Sequence, residues 1–266
     1  SELLEVLCRA FGLELQPTSE ALLEQLGQRP PTLVVVPAAQ RLFLASVGGF
    51  EAMDCLRHLM LAARHNHFWC LIMPTQSQRY LRMAIGERWV VPVSLRLPRW
   101  TESSLQAMLL QRHSLAGGPL RYSAAVLRAA EATPGVTPET YFFHILRELS
   151  GGNPLVAREL WLESAHLDSD GTVVVGLPPR KPSHLLVALP AAAGYVLAAV
   201  MRHGELTREE AAHVTALPAS PLFAAWERCQ EIGALGPETG LGLSISRSWR
   251  ADVEYYLRER NLLDGE

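Results

Sequence analysis

Apolar residues recur at helical spacing in the opening stretch SELLEVLCRAFGL, where Leu3, Leu4, Val6, Leu7 and Phe11 share one broad face. They do so again in SEALLEQLGQ, which stops at Gly27. The period then changes. TLVVV is a continuous aliphatic run of strand length, GGFEAMDCLRHLMLAARH returns to helical spacing, and FWCLIM is a second apolar run. SQRYLRMAIG predicts a further helix and RWVVPVSL a third strand. Aliphatic strands alternating with helices predict a parallel sheet flanked by helices, since parallel neighbours need a crossover connection. Residues 1–97 therefore read as an α/β domain.

From about residue 98 the pattern is mostly α. TESSLQAMLLQRHSL has Thr101 as its cap, and TPETYFFHILREL and NPLVARELWLESA each pair a capping residue with a proline at the first helical position. Residues 98–184 thus predict a helical subdomain, ending in a small hairpin around Asp170-Gly171 and a proline-rich linker. In 185–266, LPAAAGYVLAAVMRHG, LTREEAAHVTAL and SPLFAAWERCQEIGAL predict helices, the second with the capping box Thr207-x-x-Glu210. LGPETGLGLSIS predicts two short strands about a turn, and SWRADVEYYLRERNLL a last helix. That order is the order of a winged helix-turn-helix.

Composition narrows the function. With 48% hydrophobic residues the chain has ample material for packed cores, and no apolar run is long enough to predict a membrane span. Lacking a signal-like start as well, the sequence leaves the cytoplasm as the expected compartment. Cys8, Cys55, Cys70 and Cys229 are widely spaced among apolar neighbours and read as buried thiols. Lys181 is the sole lysine, in the connector LPPRKPS, and no G-x-x-x-x-G-K-[ST] run occurs. Without that phosphate cradle this chain alone is not a complete P-loop ATPase.

In this setting LVVVPAAQRLF, FWCLIMPTQSQRYL, LSGGNPLVARELW and MRHGELTREEAAHVTAL resemble, in order, the Walker B strand, the sensor strand, the lid helix and the winged helix of AAA+ or STAND-type P-loop ATPases. The resemblance spans nearly the whole chain through short motifs, and begins inside the nucleotide domain, without its opening strand and P-loop. It implies that the positions of the paired Walker B acids are held by Pro37 and Ala38, which can neither bind a cation nor accept a proton. Thr75 or Gln76 falls where a sensor residue would contact the terminal phosphate. Gly152, Asn153 and Pro154 match the lid stretch that faces nucleotide, and Arg158 lies near the lid arginine.

Each of these positions also has a purely structural reading. GGNP is equally a glycine helix stop, an asparagine cap and a first-turn proline, and Arg158 an ordinary helix-surface arginine. His65 and His67 lie close in sequence but have no thiol or carboxylate partner nearby, and fit a polar helix end better than a metal site. No G-x-S-x-G elbow places a nucleophile. The stretch from Leu186 to Glu266 carries seven arginines against eleven acids, a formal charge of −4, which disfavours duplex DNA. In SPLFAAWERCQEIG the large residues Leu222, Phe223, Trp226 and Ile232 read mainly as core.

The leading expectation is a non-hydrolysing, AAA+/STAND-like regulatory or scaffolding protein acting through protein contacts, with no tightly bound cofactor of its own. An unpaired sheet edge would invite a strand from a partner chain or oligomer. The alternative is the rear part of a nucleotide-driven ATPase that binds ATP or ADP when a P-loop is supplied upstream or by a partner; the leading serine in place of methionine fits processing or truncation. A third reading, a DNA-binding winged helix, needs Arg247 and Arg250 to form a local basic patch.

Overall fold

The computed structural model describes residues 2–15, 18–89, 91–236 and 242–263. In chain order its elements are helices α1 (Glu2–Phe11) and α2 (Ser19–Gly27), strand β1 (Thr32–Val36), α3 (Glu51–Ala62), β2 (His67–Leu71) and α4 (Thr75–Ile85). There follow α5 (Glu102–Ala116), β3 (Leu120–Tyr122), α6 (Ala124–Glu131), α7 (Pro138–Ser150), α8 (Pro154–Ser164), β4 (Ala165–Leu167), β5 (Val173–Val175) and the one-turn α9 (His184–Val187). The last are α10 (Ala191–His203), β6 (Glu205–Leu206), α11 (Arg208–Thr215), α12 (Ala219–Glu231), β7 (Leu243–Ser244) and α13 (Arg250–Glu259). The protein is mostly helical, with small parallel sheets flanked by helices. None of the helices is long and apolar enough to cross a membrane among the described residues. Two compact units divide the chain: Ser1–Leu95 with Leu189–Ile245 and Leu257–Glu266, and Arg96–Ala188 with Ser246–Tyr256.

In the first unit β1 and β2 pair in parallel from Thr32↔His67 to Val36↔Leu71. Side chains alternate along such strands, so the pair has two distinct faces. Val36, Trp69 and Leu71 pack on a core built by Leu4, Leu7, Leu22, Leu26, Leu56 and Leu59 of α1, α2 and α3. Val6 is not part of it; it is 54% exposed, because the buried stripe of α1 runs through Leu3, Leu4, Leu7 and Cys8. The opposite face is bare: Leu33, Val35 and Phe68 are 60%, 47% and 71% exposed, and Ile72 just beyond is also exposed.

The predicted third strand does not form among the described residues. Residues 91–95 belong to no strand, and Val93 and Leu95 are exposed, although Gln78 of α4 donates to Ser94 Oγ at 3.1 Å. Pro92 removes a ladder amide, and neither edge of the β1–β2 pair is joined by a third strand among the described residues.

Later in the same unit α10 is buried along most of its length, including Val196, Leu197, Val200 and Met201. It packs on α11, α12 and α4. β6 and β7 pair antiparallel, extended by a bridge between Leu235 and Ile245. The two arms of the predicted hairpin are therefore paired, while its turn at 237–241 lies outside the described residues.

The second unit has four longer helices around Phe142, Phe143 and Trp161, with Leu105, Leu109, Val126 and Leu146. Trp161 stacks on Phe143 with centroids 5.9 Å apart and meets Phe142 edge-on at 5.5 Å. The predicted hairpin is present as β4–β5, closed by Gly171 at φ +82° and by the amide of Thr172 donating to Asp170. That bond and the hydroxyl of Thr172 hold the Asp170 carboxyl below its usual range. Strand β3, unforeseen in a segment that reads as helical, adds in parallel to β5.

Candidate functional site

Ligands of open α/β sheets gather at the carboxyl ends of parallel strands, where chains leave the sheet and helix N-termini begin. In the first unit that place lies just after Val36 of β1 and Leu71 of β2. The chain leaves β1 through exposed Pro37 and then Ala38, which takes the left-handed conformation at φ 55°, ψ 43°. Ala39 is fully buried and its amide donates to the Ile72 carbonyl at 2.9 Å. The chain leaves β2 through Pro74 into α4, whose first turn holds Thr75, Gln76 and Ser77. Gln76 and Ser77 are buried; the Thr75 hydroxyl makes no hydrogen bond among the described residues. Neither strand delivers a carboxylate to this end.

Another part of the chain packs beside it. The turn from α10 to β6, residues Arg202 to Glu205, touches the exits of both strands. From the β1 side Arg41 pairs with Glu205, and a Cβ placed on Gly204 would stand 3.2 Å from Gln40 Nε2. From the β2 side Ser77 Oγ donates to the Arg202 carbonyl, and the same Gly204 position lies 3.7 Å from Pro74 Cγ. Gly204 has φ +79°, so its lack of a side chain serves both the turn and the close approach.

Aromatic rings form the floor of this joint. Phe43 stacks between Phe50 at 5.7 Å and Tyr80 at 5.9 Å, and its ring meets that of His203 at 4.9 Å. The Arg202 guanidinium lies 5.7 Å from the Tyr80 centroid and donates to the Leu262 carbonyl at 2.9 Å. His203 is only 3% exposed, and both of its ring nitrogens lack a hydrogen-bond partner, as does the buried Gln40 Oε1. Burial, assisted by the Arg202 charge, pushes His203 down to about 4 and keeps the imidazole neutral at pH 7.

The remaining nucleotide-type positions lie in the second unit, where their contacts are structural. Gly151, in the left-handed conformation at φ 58°, closes α7, and its amide donates to the carbonyls of Arg147 and Glu148. At Gly152 a Cβ would come within 2.8 Å of the Trp100 carbonyl, and the Trp100 amide donates back to Gly152 at 2.9 Å. Asn153 caps α8, its Oδ1 accepting from Leu155 and Val156, with Pro154 at the first turn. Two amides that would cradle a phosphate are thereby already engaged. Arg158 is half-buried, with its Nε unpartnered.

His65 and His67 point to different surroundings. His65 is exposed beside Arg64, whereas His67 is buried with Nε2 against the Leu26 carbonyl at 3.1 Å. Among the described residues no group of three or more possible metal ligands occurs. On α12, Leu222 and Trp226 are buried, while Phe223 is 45% exposed beneath the Arg208 guanidinium, 4.7 Å from its centroid.

Sequence reading located Pro37, Ala38 and Thr75 at the strand exits but missed the turn that packs on their neighbours Gln40, Arg41, Pro74 and Ser77. MRHGEL reads locally as a helix stop, and nothing in it signals contact with residues more than a hundred positions earlier. Comparisons with family models, with curated proteins and with solved structures found no match to this chain.

Proposed function

We propose that this chain is a non-hydrolysing, AAA+/STAND-like regulatory or scaffolding protein that acts through protein contacts. On this reading residues 98–184 correspond to a lid subdomain and 185–266 to a winged helix. The observation that carries the proposal is the carboxyl end of the β1–β2 pair: it bears Pro37 and Ala38 in place of acids, and the residues just beyond both strands are engaged by the chain's own Arg202–Glu205 turn. A strand end that presents no carboxylate as base or cation ligand has no means of activating water against a phosphoanhydride.

The bare face of Leu33, Val35, Phe68 and Ile72 supports the protein-contact half of the reading. Parallel strands are characteristically covered on both faces, and an apolar face of this kind is a surface for other protein. DNA is disfavoured by the charge of 185–266 and by the pairing of Arg228, the only arginine of α12, with Glu231 at 2.7 Å. Isothermal calorimetry with ADP and with ATP plus magnesium tests the proposal: no heat of binding is expected, and saturable micromolar binding by this chain alone would overturn it.

The same bare face, together with unpaired residues 91–95, favours a second reading, in which the chain is the rear part of a nucleotide-binding ATPase completed by a P-loop upstream or on a partner. Here ATP or ADP binding appears only after the completing segment is added. Pro37 and Ala38 still deny it ordinary hydrolysis.

A further inference from the structure

We propose that the α10–β6 turn is a proton-operated latch on the carboxyl end of the β1–β2 sheet, with His203 as the group whose charging releases it. The inference rests on the geometry of the joint and holds whether or not the chain is a scaffold.

The joint combines two kinds of contact. Arg41–Glu205, Ser77 to the Arg202 carbonyl and Arg202 to the Leu262 carbonyl hold it from the outside. Inside it His203 is enclosed by Phe43 and Tyr80, with neither nitrogen hydrogen-bonded. A buried imidazole without partners is tolerable while neutral and unfavourable once charged.

In the closed joint neither His203 nitrogen has a hydrogen-bond partner, although Gln40 Oε1 at the β1 exit is itself unpartnered. The α4 side presents the Tyr80 ring and the Ser77 hydroxyl, the latter already committed to Arg202. The β1 exit presents Phe43 and Arg41, and Arg41 engages Glu205 of β6. Arg202, adjacent in the chain, adds positive charge, and no group of α11 or α12, which also pack on α10, offsets it. Withdrawing His203 into water relieves protonation, and it separates the turn from Gln40, Arg41, Pro74 and Ser77 at the two strand exits.

The sign follows from linkage. His203 titrates at about 4 when the joint is closed, and near its ordinary 6.5 when solvated. Closure is thus fully supported above pH 6.5 and weakens as pH falls toward 4. At pH 5 the closed-to-open ratio is reduced by about 30-fold, rising to about 300-fold once both states are protonated.

Hydrogen exchange of the full chain, corrected for intrinsic rates and followed by mass spectrometry from pH 7.5 to 4.5, tests this. Peptides covering 200–206 and 75–81 are expected to lose at least tenfold protection over that range while α7 keeps its own. The variant His203→Phe, which retains a ring without a charge, is expected to abolish the pH response. In case that variant does not fold, NMR titration of His203 in the wild type and in Glu205→Gln provides the second measurement; the loosened joint should raise the His203 midpoint toward 6.5. Protection at 200–206 that is flat with pH, an unchanged response in His203→Phe, or a His203 midpoint of 6.5 in the wild type would each overturn the latch.

Discussion

At the scale of single residues, the positions that stand out are those whose backbone or burial conflicts with their chemistry. Ala38 occupies a left-handed conformation that costs a non-glycine residue about 1–2 kcal/mol. Ala38→Gly removes that strain and, after the extra entropy of an unfolded glycine, is expected to stabilise the fold by about 0.5–1 kcal/mol, measured by urea denaturation. Gly152→Ala does the opposite, forcing a Cβ against the Trp100 carbonyl at positive φ, and should lose about 2 kcal/mol or more in the same assay. Cys229 is fully buried and its thiol is pushed up to about 12 by desolvation. It should resist a disulfide reagent at pH 8 until the protein unfolds, whereas half-buried Cys55 and Cys70 react in the native state. Simultaneous labelling of all the cysteines without denaturant would show that the α10–α12 packing is not as described.

At the scale of elements, local chemistry was largely readable. Thr101, Thr137, Asn153 and Thr207 announce helix starts because a short polar side chain there can satisfy orphan amides, and each caps the helix that follows it. Asn153→Ala should cost about 1–2 kcal/mol and Trp161→Ala about 3–5 kcal/mol, both visible as lowered denaturation midpoints. What failed was the assignment of strands that depend on neighbours. RWVVPVSL has strand composition but finds no partner among the described residues, and LRY at 120–122, too short to read, becomes a strand because β5 lies beside it. A β-strand is a statement about pairing as much as composition, and pairing is not written locally. The α10–β6 joint was invisible for the same reason: Ser77 and Arg202 are 125 residues apart.

At the scale of the whole molecule, two features of the first unit point the same way. The residues that follow its strand ends are engaged by its own chain, and one face of its sheet is left apolar and open. The first suits a module without turnover, and the second suits one that engages other protein. Changing Phe68 or Val35 to aspartate on that bare face should leave stability within about 0.5 kcal/mol, since neither is packed in the core, while weakening association with a bound protein. Unfolding on either substitution would mean that the face is covered within the chain. The central claim is that this sheet end performs no hydrolysis, and the most direct test is phosphate release from ATP by the purified chain, with and without magnesium. No release above the no-protein background is the result predicted from Pro37, Ala38 and the closed joint; magnesium-dependent turnover that co-purifies with the chain would contradict it.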